Sequence, residues 1–104
     1  HGAGIAYMAQ KLGIRADIFV PETAPKTKVD RLHNYQAHVH LKGKVFSDAI
    51  QSAQEFAREQ DGLFIHGYDD ENIIVGQATC AYEFAQQAEY DTLLVAVGGG
   101  GLAA

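Results

Sequence analysis

Helical and extended patterns alternate four times along this chain of 104 residues, and that alternation restricts the possible folds more than any other feature. Between Gly4 and Leu12 the apolar residues Ile5, Ala6, Met8, Ala9 and Leu12 recur at helical spacing, and Gly13 stands where a left-handed cap residue is needed. Ala16 to Val20 reads as a short buried strand broken at Pro21. A second helix is expected from about Pro25 through Val29 and Leu32 towards Tyr35, although Gln36 occupies the place of the usual glycine cap. His38 to Leu41 reads as a strand closed by Gly43. Ser47 offers a hydroxyl cap to a helix with Ala49, Ile50, Ala53, Phe56 and Ala57 on one face, ended by Asp61-Gly62. Leu63 to His66 is a candidate third strand, after which Asp69 or Asp70 can cap a longer helix through Ile73, Gln77, Cys80, Ala81 and Phe84. The apolar run Thr92 to Val97 has the pattern of a strand covered on both faces. Alternation of this kind predicts an α/β fold, a three-layer parallel sheet with crossover helices.

Length and charge narrow the function. The chain has room for one domain, 1–104. Thirteen acidic residues against eight basic ones give a charge of -5, which repels a phosphate backbone and argues against nucleic acid as a partner. No apolar run approaches the roughly 20 residues that span a bilayer. A single cysteine, Cys80, and the lack of a signal-like opening favour the cytoplasm. Because the chain opens on His1 and closes on a loop, both ends read as cuts in a longer protein.

The strongest chemical signal is Gly98-Gly99-Gly100-Gly101, followed by Leu102, directly after the apolar run. Successive residues without Cβ let backbone N–H groups approach an anion, and a helix starting beyond them would add its positive end. No Gly-Lys-Ser/Thr follows, and the spacing is not G-x-G-x-x-G, so neither nucleotide fingerprint applies. Two readings stay open on the glycines alone: a phosphate cradle, or a glycine tail.

The chain also resembles, over nearly its whole length, the serine/threonine dehydratase (threonine ammonia-lyase) group of fold-type II pyridoxal-phosphate enzymes. His1-Gly2 is similar to the end of that family's Asn-His-Gly turn, and Val20-Pro21-Glu22-Thr23-Ala24-Pro25, Lys28-Val29, Asp48-Ala49, His66, Asp69-Asp70 and Gly76-Gln77 with Thr79 and Glu83 follow in family order. The likeness closes on Val95-Ala96-Val97-Gly98-Gly99-Gly100-Gly101-Leu102. It departs at Gln36, at Gly67-Tyr68 where Pro-Phe is usual, and at Ala78.

The resemblance implies that 1–90 is a small mobile domain and 91–104 a strand and phosphate-binding loop of a larger one. It implies pyridoxal phosphate in the full-length parent, held in part by Gly98, Gly99, Gly100, Gly101 and Leu102, and β-elimination from a hydroxy amino acid to a 2-oxo acid and ammonia. The family's Schiff-base lysine lies upstream of the Asn-His-Gly turn. Lys11, Lys26, Lys28, Lys42 and Lys44 do not match it, so no residue here is assigned a catalytic role and the fragment is expected to be inactive and to bind no cofactor. The alternative is a non-catalytic α/β binding or interaction module that reuses the fold.

Other chemistry-bearing residues have plainer readings. His38 and His40 share a strand face and could be joined by His33 or His66, but without a third ligand at defined spacing they read as packing or solvent-facing groups, and no metal is assigned. Cys80 falls in the apolar phase of its helix and is expected to be buried and inert. Lys26 and Lys28 beside Thr27 read as a solvated face. Thr92 to Val97 is expected to dock on the chain's own sheet or to pair with a second copy as a homodimer.

Overall fold

A computed structural model describes residues 1–104. The elements are α1 (Gly2–Leu12), β1 (Asp17–Val20), α2 (Lys26–Asn34), β2 (His38–Leu41), α3 (Phe46–Glu59) and α4 (Glu71–Gln87). They divide into two compact units, His1–Phe64 and Ile65–Ala104.

In the first unit β1 and β2 pair in parallel, with Asp17 opposite His38 and Val20 opposite Leu41, and α2 is the crossover between them. Neighbouring side chains on a strand leave by opposite faces. Ile18 therefore joins Ala6 of α1, Leu32 of α2 and Ala37 in one buried cluster, while Phe19 and His40 turn the other way to meet Phe56 of α3. Helices thus cover both faces of the sheet, as the three-layer expectation requires. Gly2 lets α1 approach closely, since a Cβ there would lie 3.1 Å from Ile18 Cγ2. The core is thin: its buried residues are Ala6, Ala9, Ile18, Leu32, Ala37 and Ala49, so most of the burial energy, about 2 kcal/mol for each large side chain, rests on Ile18 and Leu32.

Three helices end in a left-handed residue, and only one of these is glycine. Gly13 (φ 67°) closes α1, with Ile14 N–H donating to the Ala9 carbonyl at 3.0 Å. Gln36 (φ 60°) closes α2, donating to the His33 carbonyl at 2.8 Å, while Ala37 donates to the Leu32 carbonyl at 3.2 Å. At α3 the residue is Asp61 (φ 50°) and Gly62 N–H reaches the Ala57 carbonyl at 2.8 Å. Ser47 is not the cap of α3. It lies inside the first turn, and the Asp48 carboxylate reaches back to accept from Lys44 N–H (2.9 Å) and Val45 N–H (3.3 Å).

The second unit holds α4, whose Asp70 side chain accepts from Asn72 N–H (2.8 Å) and Ile73 N–H (3.3 Å), so Asp70 rather than Asp69 is the cap. No residue of α4 is buried and Cys80 is exposed, contrary to expectation, because its apolar phase meets no covering layer.

Two expected strands do not form. Leu63 to His66 and Thr92 to Val97 belong to no ladder, and Leu63 and Leu94 are 87% and 93% exposed. Thr92 to Val97 does not add itself to the sheet, which stays two-stranded. An apolar run records a demand for burial, whereas a strand also needs a partner backbone at the right register, and only β1 and β2 supply one to each other. No helix is long and apolar enough to cross a membrane.

Candidate functional site

The four glycines of Gly98–Gly101 differ in what the structure asks of them. Gly100 takes φ 97°, a conformation that L side chains rarely adopt, and its carbonyl accepts from both Ala103 N–H (3.0 Å) and Ala104 N–H (2.9 Å). This closes a tight turn over Gly101–Ala103, the beginning of the helical turn expected beyond Leu102. A Cβ on Gly99 would overlap the Tyr68 ring, and one on Gly101, which is buried, would lie 3.1 Å from the Tyr68 backbone. Gly98 has an ordinary φ and open space where a side chain would go.

The backbone N–H groups of Gly98 through Leu102 donate to no backbone carbonyl, so successive donors remain available to an anion. Those of Thr92–Val97 are likewise unpaired. What distinguishes the loop is the turn at Gly100 together with the vacant side of Gly98. A phosphate group fits this arrangement: the donors are neutral amides in sequence, and the space a Cβ would fill at Gly98 is free.

Tyr68 was absent from the sequence-derived site. Its ring lies over the loop, edge-on to His66 with centroids 4.9 Å apart. His66 Nδ1 accepts from Tyr68 N–H (3.3 Å) and Asp69 N–H (2.9 Å), and Asp70 then caps α4. The departure at Gly67-Tyr68 was the only sequence signal at this position, and nothing in the spacing ties residue 68 to residue 99.

The histidines are dispersed. His38 and His40 do share a sheet face, but His40 stacks on Phe19 at 4.4 Å and contacts the Asp17 carboxylate at 2.9 Å, and no three His, Cys, Asp or Glu side chains come together to hold a metal. Asp17 also receives both arms of Arg15 at 2.7 and 2.9 Å. Burial alone would raise the Asp17 carboxyl. The hydrogen bonds from Arg15 and His40 and their charges outweigh it, leaving Asp17 below the ordinary carboxylate range. Lys26 pairs with Asp30 at 2.7 Å on the exposed face of α2.

Residues 1–104 match the family model described as pyridoxal-phosphate dependent enzyme. The chain is 38% identical to the biosynthetic L-threonine dehydratase of Lactococcus lactis, covering 100% of this chain and 27% of that protein. Against the catabolic L-threonine dehydratase of Staphylococcus aureus the identity is 41%, covering 100% of this chain and 30% of that one. Among solved structures, threonine deaminase isoform 2 from Solanum lycopersicum superposes with a TM-score of 0.86 at 34% identity over 98% of this chain and 28% of that one. Maize serine racemase gives 0.90 at 31% identity over 99% and 32%. The chain therefore spans about a third or less of the length of these relatives.

Proposed function

Since the chain belongs to the pyridoxal-phosphate-dependent enzyme family, we propose that Gly98, Gly99, Gly100, Gly101 and Leu102 hold the cofactor's phosphate in a longer amino-acid ammonia-lyase. The observation that carries this reading is the end-to-end likeness to threonine dehydratases, 38–41% identical across all of this chain. Pyridoxal phosphate, when bound, supplies an electron sink for the charge left as the substrate Cα loses its proton. The loop's part is to bind and orient: its amide N–H groups would donate hydrogen bonds to the phosphate oxygens, and the turn at Gly100 holds those donors in place.

The substrate class is a hydroxy amino acid of the serine or threonine kind, released as a 2-oxo acid and ammonia. Residues 1–90 serve as a small mobile domain and 91–104 as the start of a larger one. The exposed Leu93, Leu94, Val95 and Val97 support a partner surface in that larger body or in a second copy of the protein. Lys11 ends α1, Lys26 and Lys28 open α2, and Lys42 and Lys44 follow β2, so none of them is offered as the cofactor's anchor. The 104 residues alone are therefore inactive.

The test is 2-oxo acid release from L-serine and L-threonine by the whole protein with pyridoxal phosphate, with stereochemical inversion of serine followed in parallel because a racemase is among the structural relatives. Product from the whole protein and none from the 104 residues is expected. Release by the 104 residues that vanishes when one of their own lysines is replaced would overturn their inactivity. A whole protein that binds no pyridoxal phosphate would instead identify a non-catalytic binding or interaction module.

A further inference from the structure

The glycine loop lies against one aromatic side chain, Tyr68, which is itself held in place. Three ring atoms of Tyr68, Cγ, Cδ1 and Cε1, take up the volume that a Cβ at Gly99 would need. Its backbone and Cβ take up the space beside Gly101, where an added Cβ would sit 3.1 Å from the Tyr68 Cα, Cβ and carbonyl O. Residue 68 is itself fixed from both sides. Its N–H donates to His66 Nδ1 and its ring stands edge-on to the His66 ring. Two residues later the Asp70 carboxylate is bonded to the first turn of α4. The loop thus rests on a support anchored to a helix start, with Gly99 and Gly101 on the supported side and Gly98 open.

We propose that Tyr68 is the positioning residue of the phosphate loop: the ring, packed on Gly99, together with the Tyr68 backbone and Cβ beside Gly101, holds the turn in the shape that leaves Gly98 free to meet the cofactor's phosphate. This rests on the cradle reading above. The phenolic hydroxyl is not among the atoms nearest the loop, so support comes from the ring and not from a hydrogen bond. The requirement for glycine at 99 is then set by Tyr68 and not by the ligand, whereas that at 98 is set by the ligand. Two adjacent glycines are therefore required for unrelated reasons, and substitutions at them should behave differently.

The experiment uses the whole protein and titrates pyridoxal phosphate by absorbance, with the ³¹P resonance of the bound phosphate and hydrogen exchange of Gly98–Leu102 as second readouts. Tyr68→Phe should keep the affinity within about twofold, and Tyr68→Leu and Tyr68→Ala should weaken it about tenfold, a loss of about 1.4 kcal/mol, and speed exchange across the loop. Gly99→Ala should weaken binding strongly in the wild-type background and much less beside Tyr68→Ala, because the overlapping ring is gone; that non-additivity is the signature of direct contact. Strict additivity of the two substitutions, or a Tyr68→Leu variant with unchanged affinity, ³¹P shift and exchange, would overturn the positioning role. Gly98→Val separates the two ideas. If it abolishes binding while Tyr68→Leu and Tyr68→Ala do nothing, the cradle stands and the support fails. If neither Gly98→Val nor Gly99→Ala changes affinity, the cradle itself is wrong and the proposal falls with it.

Discussion

The Asp17 carboxylate and the His40 ring meet 2.9 Å apart on one face of the sheet, although 23 residues separate them in sequence. The contact follows from parallel pairing. Asp17 sits opposite His38 and Phe19 opposite His40, so all four side chains share the face that α3 covers, and Arg15 completes the Asp17 site from the strand's entry.

That pairing has a consequence for acid stability. The folded Asp17 carboxyl is held below its ordinary value, so its contribution is fully present above the unfolded carboxyl pKa of about 4 and is lost as pH falls through the lower folded value. Asp17→Asn should cost about 1–2 kcal/mol near neutral pH. The gap in melting temperature between wild type and variant should stay constant down to about pH 5 and close in stronger acid. A gap that widens on acidification would contradict the assigned network.

The end of α2 should be improvable. Gln36 holds φ 60° in a position that glycine occupies without a Cβ penalty, and both cap hydrogen bonds come from backbone. Gln36→Gly is expected to stabilise by about 0.5–1 kcal/mol, and the reciprocal Gly13→Gln to destabilise by a similar amount. Denaturant midpoints of the two variants should move in opposite directions.

Gly43 has no such latitude. It combines φ 69° with a neighbour that leaves no room, since an added Cβ would overlap the Asp48 side chain that caps α3. Gly43→Ala should therefore cost more than about 2 kcal/mol through strain and loss of the cap together. Circular dichroism melts will show whether the loss exceeds that of Asp48→Ala, which removes the cap alone.

At α4, Asp70→Ala should lower stability by about 1 kcal/mol and Asp69→Ala should leave it nearly unchanged, because only Asp70 accepts from the helix's first N–H groups. Hydrogen exchange at Asn72 and Ile73 reports the difference directly.

Local chemistry made most of this legible in advance. Gly13 ending α1, Pro25 opening α2 and an aspartate before α4 are signals carried by the residue itself, and each marks the helix boundary that its chemistry predicts, α2 starting one residue after its proline. Failure came where the deciding partner is distant. Thr92 to Val97 has strand composition but no backbone beside it, Cys80 has helical phase but no layer above it, and Tyr68 is joined to Gly99 across thirty-one positions. Asp61-Gly62 shows a subtler limit: both residues tolerate the left-handed region, and the helix used the aspartate.

A parallel sheet of two strands has no interior member. Each of β1 and β2 carries one row of N–H and C=O groups turned to its sibling and another turned outward. Both outward rows stand outside the ladder, and the Ile18 cluster and the Phe19–His40–Phe56 stack make no use of them, because those contacts lie above and below the sheet plane and not in it. Lengthening the ladder at either margin would thus engage backbone groups that the Ile18 cluster and the aromatic stack do not use.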